Sequence, residues 1–188
     1  MPACDFGRRP CRCAGLQHRQ RRGQAVRALA GDHRITRRVA QVGEVLREFC
    51  DARGRTPHQH EQAGIAAEQT RRIDDAARDH DIVVADTTAL MIAVYSEHVF
   101  GDDSLYDLAL AAHARCGLTL LTALDLPWQA DGLQRDGPQV RAPVDALVRN
   151  ALGRGGLACS VVFGQGVVRL ANGLAAVERA LRPPASPA

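Results

Sequence analysis

Three acidic residues in this chain of 188 residues stand where a carboxylate can do chemistry: Glu44, Asp86 and Asp125 each follow a short apolar run. Ile82-Val83-Val84-Ala85 is apolar without alternation, the pattern of a strand buried on both faces of a parallel sheet. Asp86 ends that run, and Thr87-Thr88 lead into an apolar segment from Ala89 to Phe100 that suits a helix. Ligands of open α/β sheets bind outside the carboxyl ends of the strands, so an acid at this point is placed to hold Mg²⁺ beside a phosphate chain. Asp is equally a residue that caps helix N-termini, and the segment alone leaves both uses open. Val39-Ala40-Gln41-Val42 runs into Gly43-Glu44, and Leu118 to Leu124 runs into Asp125. If these strands are parallel neighbours, their acids converge on one crevice. Like charges gathered there repel, so the cluster calls for a cation, an arginine or a polyhydroxyl ligand.

The elements that must position these acids alternate strand and helix, which predicts an α/β fold with a parallel sheet flanked by helices. Strands are expected at 39–42, 82–85, 118–124 and 159–163. Helices are expected from Val45 to Ala52, from a capping box of Thr56, Pro57 and Gln59 to about Asp79, and from Ala89 to Phe100. Further helices are expected from Ser104 to about Arg115 with Gly117 as a left-handed stop, from Pro143 to Leu152, and from Val167 to Leu181. Glu44, Arg47 and Glu48 fall within one turn, where charged groups meet. Leu126 to Pro138 is a polar stretch carrying the only tryptophan, Trp128, and loops of this length inside compact domains often serve as lids. The indole there either stacks on a ligand ring or covers the rim of the core. Gly164 and Gly166 follow the last strand and allow a ligand or another backbone to approach closely.

Composition sets the frame. With 46% hydrophobic residues the chain holds enough apolar surface for one folded domain, and no run of about 18 apolar residues interrupts it. The expectation is a cytoplasmic protein without a membrane role. All 24 basic residues are arginine, so this chain offers no lysine to a phosphate. Residues 1–38 hold ten arginines and two acidic residues, about +8, whereas the remainder is about −5. An Arg-rich arm (1–38), a globular domain (39–182) and a Pro-containing tail (183–188) follow as the expected organisation. The six cysteines, at 4, 11, 13, 50, 116 and 159, show neither a disulfide framework nor zinc-site spacing, so reduced thiols are expected.

Four stretches carry a family resemblance: VGEVLREFC (42–50), IVVADTTALMIAVYSEHVFG (82–101), LTLLTALDLPWQADGLQRDGP (118–138) and VVFGQGVVRL (161–170). In that order they resemble the NadR-type AAA/P-loop kinase family, whose best-known members are the ribosylnicotinamide kinase domains of NAD biosynthesis. The resemblance covers roughly residues 39–182, and D-x-P-W-x-x-D-G-L-x-R from Asp125 to Arg135 is its most specific piece. It implies a P-loop NTPase-like fold that uses ATP and Mg²⁺ to phosphorylate a nucleoside-like hydroxyl. By the same resemblance Asp86 is the strand-end acid that binds Mg²⁺ or positions the accepting hydroxyl, and Arg135 is the lid arginine on the transferring phosphate. Glu44, Arg47, Asp125, Trp128 and Asp131 then take the substrate, and Gly164 and Gly166 lie where such kinases hold adenine.

One departure is large. The family opens with a strand and a G-x-x-x-x-G-K-[ST] loop whose backbone N–H groups, lysine and hydroxyl grip the phosphates. Here Gly15 to Gly23 reads GLQHRQRRG, with no strand before it and no Lys, Ser or Thr. Electrostatic clamping is most of what a phosphoryl-transfer enzyme supplies, so this chain is expected to be an impaired kinase. A non-catalytic nucleoside-binding remnant and an Arg-arm nucleic-acid binder are the alternatives. If Gln17 to Arg21 are encoded CAG CAC CGG CAG CGG, the frame one base on spells Ser-Thr-Gly-Ser-Gly. A frame change would thus account for both the missing loop and the arginine excess.

Overall fold

The computed structural model describes residues 38–128 and 137–182. The order is β1 (Val39–Val42), α1 (Val45–Arg53), α2 (Gln59–Asp79), β2 (Ile82–Ala85), α3 (Ala89–Phe100), α4 (Tyr106–His113), β3 (Leu120–Thr122), α5 (Arg141–Arg154), β4 (Ser160–Val162) and α6 (Gly166–Leu181), with a 3₁₀ turn at Pro138–Val140 before α5. Strand and helix alternate, and the strands pair in parallel, so the α/β class expected from the sequence is the class observed.

Pairing divides the strands into two parallel couples. In the first, Val39 pairs with Ile82 and Val42 with Ala85; in the second, Leu120 pairs with Ser160 and Thr122 with Val162. The amides of Ile82 and Asp86 donate to the carbonyls of Arg38 (3.1 Å) and Val42 (3.1 Å), so the alternation of a parallel ladder turns the backbone groups of Val83 and Ala85 away from β1. Ser160 and Ala123 bond across the second couple in the same way, which turns those of Leu120 and Thr122 away from β4. Among the described residues, β2 and β3 share no ladder.

β2 is buried along its whole length because helices cover both its faces. Ile82 and Val84 join Leu120, Val162 and the α6 residues Ala176 and Val177 in one apolar cluster, while Val83 and Ala85 join Val42 and Ile73 of α2 in another. The third and largest cluster is built on α3, whose Leu90, Ile92, Ala93 and Val94 are buried against α2, α4 and α5. A helix apolar on all sides is an interior helix, and its apolar sequence dictates that place.

Several boundaries differ from expectation for local reasons. α2 opens at Gln59 rather than after Thr56, because Glu61 supplies the capping carboxylate: the His58 N–H donates to it at 2.8 Å and Arg55 grips both its oxygens at 2.7 and 2.9 Å. α4 stops at His113 without a left-handed glycine, since Gly117 has no positive φ. β3 is three residues long rather than seven, and α5 begins at Arg141, ahead of Pro143. Residues 1–37 and 183–188 lie outside the described residues, as do Asp131 and Arg135 of the expected lid.

Candidate functional site

The β1–α1 turn places Glu44. Its geometry is fixed from α2 by Gln69, fully buried, whose Oε1 accepts from the Val45 N–H at 2.9 Å and whose Nε2 donates to the Gly43 carbonyl at 3.0 Å. An amide has one donor end and one acceptor end, so a single side chain satisfies both backbone groups of the turn. Glu44 and Arg47, both largely buried, face each other across one helical turn with Nε to Oε2 at 3.4 Å. Gln69 was not legible as a site residue, since a glutamine in an amphipathic helix carries no distinguishing signal.

Asp86 follows β2 directly, opposite the end of β1, so Glu44 and Asp86 emerge at the carboxyl edge of one strand couple. Asp86, Thr87 and Thr88 are 4%, 6% and 7% exposed. Thr88 is the N-cap of α3: its Oγ1 accepts from the Leu90 N–H at 3.2 Å and lies 2.8 Å from His113 Nδ1. The other ring nitrogen of His113 is 2.8 Å from Thr119 Oγ1, so one buried imidazole ties the start of α3 to the residue before β3. Burial holds the His113 pKa below its ordinary value, which favours the neutral ring in this bridge. The capping role weighed for Asp86 thus falls to Thr88, and Asp86 faces a cleft with Thr87, His113, Thr119 and the edge residues Leu120 to Thr122.

Asp125 behaves differently. It belongs to the second strand couple, where its Oδ2 accepts from the Gly164 N–H at 2.5 Å and its Oδ1 from Arg169 Nη2. Arg169, 9% exposed, also donates Nε to the Gly164 carbonyl at 2.7 Å. These contacts hold the Asp125 carboxyl below the usual carboxylate range, the Gly164 amide first and the Arg169 charge after it. Gly164 sits at φ +90°, where a Cβ would meet Val168 Cγ1 at 2.8 Å, and Gly166 at φ +57° opens α6. The glycine pair therefore lets the chain close on Asp125. Neither Glu44 nor Asp125 lines the cleft of Asp86, so the three acids are not gathered in that one pocket. Trp128 lies at the end of the described segment after β3, with its Nε1 buried and without a hydrogen-bond partner among the described residues. Arg141 Nη1 anchors this segment through the Leu126 carbonyl at 2.7 Å.

Among the described residues, no group of three or more His, Cys, Asp or Glu side chains forms a metal cluster, and no helix is long and apolar enough to cross a membrane.

With this geometry in hand, comparison with solved structures finds a likeness to a NadR protein crystallised in complex with NAD and AMP-PNP. The TM-score is 0.66 at 15% identity, over 90% of this chain and 49% of that one. The likeness is one of fold, and this chain spans about half the length of that relative. No curated protein matches the chain at a significant level. The family model described as "AAA domain" matches residues 23–168, which takes in every strand and acid discussed above. That match extends over well more than half of the sequence, and the chain belongs to the AAA-domain family.

Proposed function

We propose that this chain is a phosphotransferase-type nucleotide-binding domain that takes a nucleoside-like acceptor at the end of β2, and that its phosphate grip is impaired in the present sequence. The observation that carries the reading is Asp86, buried at 4% exposure at the carboxyl end of a parallel strand and lining a cleft. A carboxylate in that position accepts a hydrogen bond from a substrate hydroxyl and draws its proton away as the oxygen attacks.

Mg²⁺ fits the residues present. It is commonly held by one or two carboxylates, with water and phosphate oxygens completing its shell, and Asp86 is a sufficient anchor of that kind. Bound there, the ion supplies charge neutralisation at the transferring phosphoryl group. The triphosphate fits less well, because the chain contains no lysine and residues 15–23 supply no hydroxyl. ATP as the nucleotide rests on the likeness to the NadR structure and on the family resemblance. So do the roles of Glu44, Arg47, Asp125, Trp128 and Asp131 toward the acceptor, of Arg135 toward the phosphate and of Gly164 and Gly166 toward adenine. NAD metabolism is the setting the same likeness favours.

The test is titration calorimetry of the full chain with nicotinamide riboside and, separately, with Mg-ATP, followed by a phosphoryl-transfer assay. Riboside binding weakened about tenfold or more by Asp86→Asn, with little ATP binding, is the expected result. A chain that binds neither ligand overturns the proposal. The lysine-free composition favours a second reading, a binding remnant without catalysis, and riboside binding with no transfer at any ATP concentration would select it.

A further inference from the structure

Of the three consecutive polar residues that line the cleft, two have structural or charged duties and one has neither. Thr88 caps α3 and bonds His113, and Asp86 presents the carboxylate. Thr87 is 94% buried, and its Oγ1 has no hydrogen-bond partner among the described residues. A buried hydroxyl without a partner destabilises a fold, and such groups call for an explanation. The explanation here has a direction: Thr87 lines the cleft beside Asp86, at the N-terminus of the twelve-residue helix α3, whose dipole favours electron-rich oxygen.

We infer that Thr87 is a ligand-contacting residue that holds the accepting hydroxyl of the substrate; the inference rests on the reading of Asp86 given above. A hydroxyl oxygen both accepts and donates. Thr87 donates to that oxygen, which leaves its own hydrogen directed at the Asp86 carboxylate. Donor and acceptor from adjacent residues thereby read one hydroxyl and fix which one is activated. The dimensions agree with this division. The cleft measures about 60 Å³, less than the roughly 150 Å³ that accepts a benzene ring, so it admits a hydroxyl-bearing end group more readily than a whole aromatic base. Of the other polar side chains lining the cleft, Thr88 and Thr119 are each bonded to His113, and Thr122 and Cys116 complete the polar lining.

The experiment compares wild type, Thr87→Val and Thr87→Ser by titration calorimetry with nicotinamide riboside and with its 5′-deoxy analogue. Val is close in shape but removes the hydroxyl, and Ser restores it. Expected are about tenfold weaker riboside binding for T87V, binding within about threefold of wild type for T87S, and no difference between wild type and T87V for the 5′-deoxy compound. T87V should also melt no lower than wild type without ligand, since it removes an unsatisfied group. Equal riboside affinity in wild type and T87V, or an equal loss for both compounds, overturns the role of Thr87 and leaves the Asp86 reading standing. Failure of wild type to bind riboside overturns that reading and the inference with it.

Discussion

Gln69 and Val45 are joined by a buried hydrogen bond of 2.9 Å that ties the middle of α2 to the first amide of α1. Because the same glutamine also donates to the Gly43 carbonyl, the turn bearing Glu44 is held from both sides. Gln69→Leu keeps the volume and removes both bonds. It is expected to destabilise the chain by about 1–3 kcal/mol, measured as a lower urea midpoint with unchanged slope. An unchanged midpoint would show that the turn holds itself.

The His113 bridge makes a pH prediction. Burial lowers the folded-state pKa of this imidazole, so the unfolded chain takes up its proton first as pH falls. The stability contributed by the neutral ring is complete above about pH 6.5 and is lost progressively as pH drops from there through the lower folded value. NMR titration should find the His113 midpoint below 6.5, and a midpoint at or above it would show that burial does not govern this ring. His113→Ala, which strands the Thr119 hydroxyl and half of the Thr88 cap, should cost about 1–3 kcal/mol.

Glu61 provides the contrasting case at the surface. Hydrogen bonds from Arg55, then from the His58 amide, lower its pKa from 4.5 to about 2. The folded form therefore holds its advantage above about pH 4.5 and surrenders it as pH falls toward 2. Arg55→Met should bring the Glu61 midpoint back toward 4.5 in a carboxyl-carbon titration while leaving α2 helical. A midpoint that stays near 2 would assign the shift to the backbone amide alone.

Asp125 is expected to act on the fold before it acts on any ligand. Asp125→Asn weakens the grip on Gly164 and Arg169, and Arg169 at 9% exposure loses its counter-charge. Thermal unfolding should begin earlier, and hydrogen exchange at the Gly164 amide should rise most. A variant that melts like wild type but binds riboside poorly would move Asp125 into the acceptor site.

The reading frame is open to direct test. The family match begins at residue 23, the last residue of the stretch 15–23 that lacks a phosphate-loop lysine and hydroxyl. DNA sequencing upstream of residue 38 is expected to show a phosphate-loop reading such as Ser-Thr-Gly-Ser-Gly in another frame, and its absence from all frames rejects the frame change.

The sequence made the four strands and their parallel pairing legible, because IVVA at 82–85 and the strand–helix alternation encode burial on both faces directly. It placed Asp86 at a strand end for the same reason. It did not reveal Gln69, His113 or Arg169, whose partners lie 24, 25 and 44 residues away and whose roles depend on tertiary placement alone. Nor did it separate Asp125 from the other acids, since the arginine that neutralises it sits in a later helix. The capping box was misplaced by two residues because Arg55 strengthens Glu61, an effect outside any four-residue pattern.

The outward-turned amides of Val83 and Ala85 on β2 lie in a strand that is buried along its whole length, with Ile82 and Val84 packed in one apolar cluster with Leu120 of β3. Solvent is kept from these groups by packing, so this margin of the sheet is sealed by the core and offers no seat to a foreign strand.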